Sequence, residues 1–403
     1  MELYKKRISD LGRIVTGKTP RTSNAENYGG KIPFLTPSDD LSGKFAPKTV
    51  KTITELGLSE VRNCLLPSKS VCVSCIGSDL GKVVITNEPT VSNQQFNSII
   101  PTEENDTDFI YYLMTIVGKE LNFLSKTSTA VPIINKSTFA DYEIEIPSLE
   151  NQRRIAKVLS SLDDKIEVNR RINDNLEQQA QALFKSWFVD FEPFRDQTFK
   201  ESEFGMIPNG WHAAVLDELC SFISRGLTPK YDENSDELIL GQTCVRNNVV
   251  TLDNARKHKP KQRTEKWVQQ WDTLINSTGV GSLGRVGIAY FDMDNVAIDS
   301  HITVVRPKSA LVRHYVGRNL LSRQPEIENM AVGSTGQTEL PKERVKSLPI
   351  MLPDENALIR FNAIIEPIAY QLYRNIEESR RLASLRDALL PRLMSGELTI
   401  DDL

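Results

Sequence analysis

The segment Gly12–Thr19 (GRIVTGKT) has the GxxxxGK[ST] spacing of the loops that hold nucleotide phosphates. That chemistry needs a strand before the loop and a helix after it, because backbone N–H groups at the start of the helix bind the phosphates. Here Pro20 follows at once, and a turn-rich stretch comes next. The matching segment in the second half, Gly226–Pro229, has no lysine. The pattern therefore favours a polar loop over a nucleotide site.

A second glycine-rich segment, Gly279–Gly284 (GVGSLG), fits the GxGxxG pattern of dinucleotide-binding proteins. The pyrophosphate in such a site lies at the start of a helix. The next segment along the chain, Arg285–Phe291 (RVGIAYF), has the composition of a strand, and the counterpart Ile76–Gly81 keeps only two of the glycines. We predict a tight turn in a hairpin.

Metal and redox chemistry have little support in the sequence. Cys72 and Cys75 form one CxxC, but a zinc site needs two more ligands, and no second CxxC or HxxxH occurs. The segment VCVSC also resembles a buried strand, so we expect reduced core thiols at all five cysteines: Cys64, Cys72, Cys75, Cys220 and Cys244. The first ten residues lack the apolar stretch of a signal peptide, which indicates the cytoplasm.

Other catalytic patterns are missing as well. The chain has no Asn/Asp-Pro-Pro-aromatic motif of an adenine methyltransferase and no nuclease cluster of the Asp…Glu-x-Lys type. The four histidines, which are His212, His258, His301 and His314, have no spacing typical of a metal site or a catalytic triad. We predict that the chain has no catalytic residues, no metal and no bound cofactor.

The chain is an internal repeat with an offset of 206 residues. At this offset Pro101 falls on Pro307, the segment Ile144–Pro147 falls on Ile350–Pro353, and Asn169 falls on Asn375. Such a fixed register indicates two copies of one architecture. In each copy, short β-like stretches (Ser70–Ile76, Lys82–Thr86 and Phe96–Ile100 in the first) precede a short buried helix (Asp108–Gly118, then Leu311–Ser322).

A long helix follows each globular part. Apolar residues and one asparagine recur every seven residues over about five heptads, which is typical of a coiled coil. The seam residues are Ile155, Leu162, Asn169, Leu176 and Leu183, then Phe361, Ile368, Asn375, Leu382 and Leu389. We place Val158 and Ile172 on the same seam, Leu159 and Ile166 beside it, and Ile364 and Leu385 beside the second stripe.

Both seams carry an asparagine at the midpoint, which costs stability but fixes register and orientation. If the helices pair antiparallel, Asn169 and Asn375 meet near the centre. Pro367 lies inside the second stripe and should kink or delay that helix. Two such helices would form a rod of about 55 Å, with the globular parts at its ends related by a pseudo-twofold axis.

We therefore predict an α+β fold, with two mixed α/β domains joined by two long helices that form an antiparallel coiled coil. The predicted parts are residues 1–149, 150–195, 196–353 and 354–403, in the order domain, helix, domain, helix. Two similar but non-identical heads at a fixed separation suit a two-part site on a DNA duplex, with unlike half-sites.

Loop positions shared between the copies are the best candidates for contacts with DNA. Arg and Lys pair with guanine, Asn and Gln pair with adenine, and Ser and Thr bind phosphates. The candidates are Lys18, Thr19, Arg21, Thr22, Ser78, Lys82, Ser128 and Thr129 in the first copy, and Arg225, Thr228, Lys230, Ser282, Arg285, Ser334, Thr335 and Gln337 in the second. Asn93, Gln94 and Gln95 either reach bases or form a polar turn that caps a strand.

Two further segments each allow two interpretations. The basic run Arg256–Lys266 occurs only in the second half. It either contacts the DNA backbone, through Arg256, Lys257 and Lys259, or forms a solvated loop. The aromatic segment Ser186–Phe194 is either core or a contact for a partner subunit.

Charge alone gives no sign of nucleic-acid binding. The net charge is −4, and acids and bases are nearly balanced within each globular part. Either folding clusters the basic residues, or another subunit supplies much of the contact with the DNA backbone. No apolar run is long enough for a membrane span.

These residues resemble the specificity subunits of Type I restriction-modification systems. The resemblance lies in the opening GKTPRTSNAENYGGKIPFLTPSDDL with its counterpart RGLTPKYDENSDELILGQ, the hinge IPSLENQRRI and the tail LRDALLPRLMSGEL, and it covers essentially the whole chain. The second domain lacks GGKIPFLT and has LILGQTCVRN there instead, which blurs which loop residues match.

The resemblance implies a target recognition domain for each half of a split, asymmetric site in double-stranded DNA, with the helices setting the unread spacer. It also implies two modification (methyltransferase) subunits that carry S-adenosylmethionine. Restriction subunits, with ATP- and Mg-dependent translocase and nuclease activity, would complete the enzyme. The alternatives are the recognition part of a Type II enzyme with a bipartite site, and a coiled-coil adaptor that binds proteins instead of DNA.

Overall fold

In the computed structural model, the described residues are 1–77, 79–125, 133–259, 261–291, 293–333 and 338–402. They form two compact units. The first comprises Met1–Glu167 and Arg381–Leu403, and the second comprises Val168–Arg380. The first long helix, Leu149–Phe188, and the second long helix, Glu355–Met394, therefore each contribute to both units.

The first unit is built on an antiparallel four-stranded sheet. In sheet order its strands are Gly12–Thr16, Phe96–Pro101, Val71–Ser74 and Val83–Ile85. Val71–Ser74 is buried throughout because the first domain helix, Thr107–Ser125, packs against it. A second sheet has the strands Lys51–Ile53, Tyr28–Leu35, Thr90–Ser92 and Leu65–Leu66, and Tyr4–Arg7 pairs with Glu143–Ile146. The short helices are Ile8–Leu11, Glu55–Glu60 and Lys136–Ala140, with 3-10 turns at Ala25–Asn27, Arg62–Cys64 and Ile400–Asp402.

The second unit repeats this plan with additions. Its six-stranded sheet contains, in order, Cys220–Arg225, Ile302–Pro307, Thr273–Asn276, Val286–Ile288, Asn248–Val250 and Val245–Arg246. A three-stranded sheet has Arg256–Lys257, Leu238–Leu240 and Val296–Ile298; His212–Val215 pairs with Pro349–Leu352, and Phe199–Ser202 pairs with Gly205–Pro208. The second domain helix, Ala310–Ser322, covers the large sheet. Shorter helices are Leu216–Leu219, Gln324–Asn329 and Lys342–Lys346, with 3-10 turns at Glu192–Phe194 and Gln242–Cys244.

The strand registers confirm the internal repeat. Val73 pairs with Asn97 in the first unit, and Ile275 pairs with Thr303 in the second, at the same place in the sheet. The three predicted β-stretches of the first copy are strands, and both predicted domain helices are present. The predicted α+β architecture is therefore confirmed.

The long helices run antiparallel to each other within each unit. In the first unit, Asp163 of the first helix contacts Arg386 of the second, and Arg154 contacts Asp401 in the 3-10 turn that follows the second helix. In the second unit, Asn169 contacts Ser379, whereas Asn173 contacts Asn375. Partner numbers fall along one helix as they rise along the other, which confirms the predicted antiparallel pairing.

All ten residues predicted for the seam are buried or partly buried. The helix interface also contains a second set of buried positions. They lie four residues after the predicted seam residues, whereas the prediction placed them three residues after. Thus Leu159, Ile365 and Leu372 are almost fully buried, whereas Ile172 and Ile364 are more than 40% exposed. Leu385 is exposed as well. Placing Ile172 on the seam and Leu159 beside it was wrong.

The expected contact between the two midpoint asparagines is also wrong. Asn169 Nδ2 donates to Glu378 Oε2 (2.8 Å) and Ser379 Oγ (3.3 Å), and Asn375 Nδ2 donates to Asn173 Oδ1 (2.8 Å). Both asparagines are at least 96% buried. The helices are shifted by about one turn relative to the register that would bring the two asparagines together.

Pro367 does not delay the second long helix, which was one of the two effects predicted for it. The helix begins at Glu355, twelve positions earlier, and continues to Met394. Pro367 lies on an exposed face, where water can bond the carbonyl group that loses its N–H partner.

The aromatic segment after the first long helix is core. Trp187, Phe188 and Phe194 are buried, and they pack with Trp211 and Phe361 of the same unit. Of the two predicted interpretations, packing within this chain is the one that the structure supports.

The cysteines are free thiols. Burial raises the pKa of the Cys72 thiol to about 12 and that of Cys75 to about 11, so neither is a ready thiolate ligand or nucleophile. Among the described residues, no group of three or more His, Cys, Asp and Glu could hold a metal ion. In the same part of the chain, no helix has the length and apolar character to span a bilayer.

His314, in the second domain helix, makes the stability of the second unit depend on pH. Burial, together with the charges of Arg313 and Arg318, lowers its pKa to about 3. The unfolded chain binds this proton near pH 6.5 and the folded chain does not, so stability present at neutral pH is lost as the pH falls. Between pH 7 and pH 5 we expect the free energy of unfolding to fall by about 2 kcal/mol more than in His314→Gln. Urea unfolding at both pH values measures this, and equal losses in the two proteins would contradict it.

Candidate nucleic-acid interface

Backbone hydrogen bonds bring four loops of the first unit together; we call residues 17–22, 75–77 with 79–82, 92–95 and 133–135 the first loop cluster. Gly17 N–H donates to Phe96 O (3.1 Å), and Lys18 N–H donates to Ser92 O (2.9 Å). Cys75 N–H donates to Gln95 O (2.7 Å), and Ile134 N–H donates to Cys75 O (2.9 Å). The loops are therefore held by main-chain atoms at one edge of the four-stranded sheet.

The side chains of this cluster include exposed cations. Lys18, Arg21 and Thr22 are exposed, and Arg21 N–H donates to Glu60 Oε2 (2.8 Å), which fixes the loop but leaves the guanidinium outside. Thr19 Oγ1 donates to Gln94 Oε1 (2.7 Å), so two predicted residues from different loops meet.

Other side chains of the cluster bond to neighbouring residues within the cluster. Lys82 pairs with Asp79 (2.6 Å). Asn93 is 9% exposed, and its side chain bonds Gln95 N–H and Gln95 Oε1. Asn93 therefore forms the polar turn before the strand Phe96–Pro101, which was the structural alternative. Gln94 is exposed beside it.

The second loop cluster, residues 225–230, 277–285, 298–301 and 338–340, has the same four backbone bonds. Gly226 N–H donates to Ile302 O (3.1 Å), and Leu227 N–H donates to Ile298 O (2.8 Å). Ser277 N–H donates to His301 O (2.8 Å), and Leu340 N–H donates to Ser277 O (2.8 Å). Each bond has its counterpart in the first cluster, so one main-chain scaffold is used twice.

The side chains on this second scaffold differ from those on the first. Arg225 donates to Leu340 O (2.9 Å) and pairs with Glu339 (2.8 Å), and Arg285 donates to Gly281 O (2.7 Å). Thr228 and Lys230 are exposed, and Ser282 is partly buried. Two arginines thus fix loops here.

A close backbone approach requires glycine at the same place in both clusters. A Cβ atom on Gly17 would lie 2.1 Å from Asn93 O, and one on Gly226 would lie 2.0 Å from Ile298 O. These contacts are far shorter than a van der Waals contact. Gly17, the glycine of the nucleotide-like pattern, therefore serves loop packing.

The basic run of the second unit lies beside the second loop cluster. Arg256 stacks on Tyr231, with 3.4 Å from its guanidinium carbon to the ring centroid. Lys259 N–H donates to Lys230 O (2.8 Å), which brings the run to the predicted loop residue. Lys266, at the end of the run, donates to Gly226 O (2.9 Å). The exposed side chains of Lys230, Arg256, Lys257 and Lys259 therefore belong to one basic patch.

The two nucleotide-like motifs lack the helix that phosphate binding requires. Gly12–Thr16 is itself a strand, followed by loop and then the 3-10 turn Ala25–Asn27. Gly279, Gly281 and Gly284 all have positive φ and precede the strand Val286–Ile288. The predicted hairpin turn is confirmed.

Six predicted residues lie outside the described residues: Ser78, Ser128, Thr129, Ser334, Thr335 and Gln337. Two other residues shape the second cluster and were not predicted from the sequence. They are Tyr231, which stacks under Arg256, and Gln242, whose side chain donates to Thr278. Tyr231 directly follows Lys230, so an aromatic residue beside a basic one was the available signal.

One family model matches both copies of the repeat. A family model described as Type I restriction modification DNA specificity domain matches residues 2–178 and residues 208–380. Each match covers one copy of the repeat together with the part of a long helix that follows it.

Two relatives with known roles, one aligned along nearly the whole chain, are specificity subunits as well. The chain is 30% identical over 420 aligned residues to the Type I restriction enzyme MjaIX specificity subunit of Methanocaldococcus jannaschii, covering 99% of this chain and 94% of that one. It is 36% identical to the HindI specificity subunit of Haemophilus influenzae over 42% of this chain and 38% of that one.

The fold also matches a solved structure. The Type I restriction-modification system S subunit from M. genitalium aligns with a TM-score of 0.55 at 17% identity, covering 98% of this chain and 96% of that chain. With a family model on both repeats and a relative aligned along nearly its whole length, this chain belongs to the family of specificity subunits of Type I restriction-modification enzymes.

Proposed function

We propose that this chain reads a split target in double-stranded DNA, with one loop cluster for each half, and takes no part in the chemistry itself. The observation that carries the proposal is the repeated scaffold: the same four backbone hydrogen bonds hold loops with different side chains in the two units. A shared scaffold with unlike side chains suits two half-sites of different sequence.

The exposed polar residues of each cluster would make the contacts. In the first cluster these are Lys18, Thr19, Arg21, Thr22 and Gln94, with Lys82 once it leaves Asp79. In the second they are Thr228, Lys230, Arg256, Lys257 and Lys259, with Arg225, Ser282 and Arg285 at its base. Lysines and arginines on such loops neutralise phosphates, and those that reach the groove pair with guanine. With the basic patch around Lys230, the second unit would bind the DNA backbone more tightly than the first unit does.

Partner subunits would supply the rest of the enzyme. We expect two methyltransferase subunits, carrying S-adenosylmethionine, on the long helices. Restriction subunits would bring ATP- and Mg-dependent translocation and cleavage. A net charge of −4 supports this division, since a chain that held DNA alone would be more basic. The complex would work in the cytoplasm, where its DNA lies.

The test is to co-express the chain with a cognate methyltransferase subunit and to map adenine methylation across the host genome by long-read sequencing. A single motif of two unlike halves around a fixed spacer is expected. In the double variant Lys18→Gln, Arg21→Gln, only one half should become degenerate or weaker. The matched control Lys5→Gln, Lys6→Gln changes two exposed lysines of the same unit outside the cluster, and it should leave the motif unchanged.

Two outcomes would favour the alternatives. A purified, stable complex that adds no methylation would support the protein-binding adaptor. Purification with one partner that carries both methyltransferase and nuclease activity would support a bipartite Type II enzyme.

A further inference from the structure

One position of the domain helix bonds the first long helix in both units. Tyr112 of the first domain helix and Arg318 of the second are equivalent at the repeat offset of 206 residues. Each is at least 98% buried. Each places a polar group against an acidic residue of the first long helix, although a tyrosine and an arginine have no chemistry in common beyond donating hydrogen bonds.

In the second unit this contact is a buried ion pair. Arg318 Nη1 lies 2.5 Å from Glu177 Oε1, and Arg318 Nη2 donates to Tyr290 Oη (2.5 Å). The side chains of Arg318 and Glu177 are only 2% and 10% exposed. Arg318, on the domain helix, therefore bonds both the long helix, through Glu177, and the segment after the strand Val286–Ile288, through Tyr290.

In the first unit the contact is a chain of three residues. Tyr112 Oη donates to Asp163 Oδ2 (2.5 Å), and Arg386 Nη1 donates to Asp163 Oδ1 (2.6 Å). Burial, and then the charge of Asp163, raises the pKa of Tyr112 far above its ordinary value, so the phenol keeps its proton and donates. Lys44 adds a second link from the domain by donating to Ser160 Oγ (2.7 Å) on the same helix.

The acidic partners of Tyr112 and Arg318 are not at equivalent positions in the repeat. Asp163 and Arg386 correspond to Ala369 and Ala180, both almost completely buried, and Glu177 corresponds to Ala383. In the second unit the long helices carry small residues where the first unit has its ion pair, and Arg318 reaches a different acid. The two donors are therefore equivalent at the repeat offset, whereas the two acidic acceptors are not.

Buried pairs of this kind are poor sources of stability, because desolvation offsets most of the attraction, but they are demanding in geometry. A domain that rocked on its helix would take Arg318 away from the buried carboxylate of Glu177, and it would take the buried hydroxyl of Tyr112 away from Asp163, which would keep only Arg386. Apolar contacts around them tolerate small displacements far better.

We propose that the contacts Tyr112–Asp163 and Arg318–Glu177, which we call the helix hooks, fix the orientation of each recognition domain on the first long helix and so set the spacer length that the protein accepts. Tyr112 and Arg318 are positioning residues in this proposal. It rests on the proposed reading of a split target, because a spacer exists only if each domain reads one half.

The test compares spacer tolerance in the assembled methyltransferase complex. The double variant Arg318→Met, Glu177→Leu removes both charges together and keeps the site filled, so no buried charge is left unpaired. Tyr112→Phe removes one hydroxyl group from the other hook. Duplexes with the wild-type spacer, and with one base pair more or fewer, are titrated with each complex, and genomic methylation is mapped in parallel.

Wild-type complex should discriminate strongly between these duplexes. In the double variant the ratio of dissociation constants between wrong and correct spacers should fall at least fivefold, and Tyr112→Phe should lower it in the same direction. Both half-sites should stay unchanged. Matched controls are Tyr142→Phe, which removes a tyrosine–Glu120 bond inside the first unit (2.6 Å), and Lys185→Met, which removes an exposed pair with Asp190.

Unchanged spacer discrimination in both hook variants, with only the melting temperature altered, would overturn the proposal and leave the hooks a role in packing. Wild-type complex that methylates no split motif would instead remove the proposed function, and the hook proposal with it. A control that relaxed the spacer as much as a hook variant would also overturn it, since the effect would not be specific to the hooks.

Discussion

Deleting one heptad from each long helix, residues 166–172 and 376–382, is expected to shorten the spacer by about three base pairs or to abolish methylation. Seven helical residues span about 10 Å, and the DNA rises about 3.4 Å for each base pair. A whole heptad keeps the seam in phase, and the bond between Asn173 and Asn375 is retained. Methylation of the original motif should fall at least 100-fold, as measured by long-read sequencing.

A length-restored chain is the matched control for this deletion. Residues 166–172 are replaced by a copy of residues 173–179, and residues 376–382 by a copy of residues 369–375. In the observed register, the copied Asn173 and Asn375 then face each other again. This chain should recover the original spacer. If the deleted chain kept the original spacer, the helices would not set the distance between the half-sites.

Arg306→Met should lower the free energy of unfolding of the second unit by about 3–5 kcal/mol, because it leaves a buried carboxylate unpaired. Arg306 Nε and Nη2 donate to the two oxygens of Asp272 (2.8 and 2.7 Å), and Nη2 also donates to Trp267 O (2.9 Å). Asp272 is 1% exposed. Urea unfolding followed by tryptophan fluorescence reports the loss.

Two further variants separate the loss of the pair from the loss of packing. Arg306→Met, Asp272→Asn removes the buried charge and should recover at least half of the lost stability. Arg263→Met breaks an exposed pair with Asp294 in the same unit, and it should cost no more than about 1 kcal/mol. A similar loss in Arg263→Met would show that the burial of the pair is not what matters.

The repeat and the helices could be predicted from the sequence because both are periodic. The offset that places Pro101 on Pro307 aligns the four-stranded sheet with four neighbouring strands, in the same order, of the six-stranded sheet. The heptads predict the antiparallel pair. The loop clusters could be predicted only in part. Glycines and polar residues at shared positions marked the loops, but the long-range bonds that bring Lys18 beside Ser92 leave no trace in local sequence.

The wrong details have a common physical cause. The seam positions four residues after the predicted ones include Asn173, Ser379 and Arg386, which are polar, whereas the exposed face carries Ile172 and Leu385. Positions three and four residues along a helix lie on nearly the same face. We chose between them by apolar character, and this choice selected the exposed positions. The register of Asn169 and Asn375 could not be found from spacing, since it depends on side chains that face each other across the pair.

The division of the long helices between the two units has a consequence for synthesis of the protein. Leu390, Leu393 and Met394 complete the core of the first unit, although they are translated after every residue of the second. On the ribosome the first unit must therefore wait, with an apolar surface uncovered, until the second has been made. A stop codon near position 380 would leave the second unit with all of its own residues and would damage the domain encoded at the opposite end of the gene.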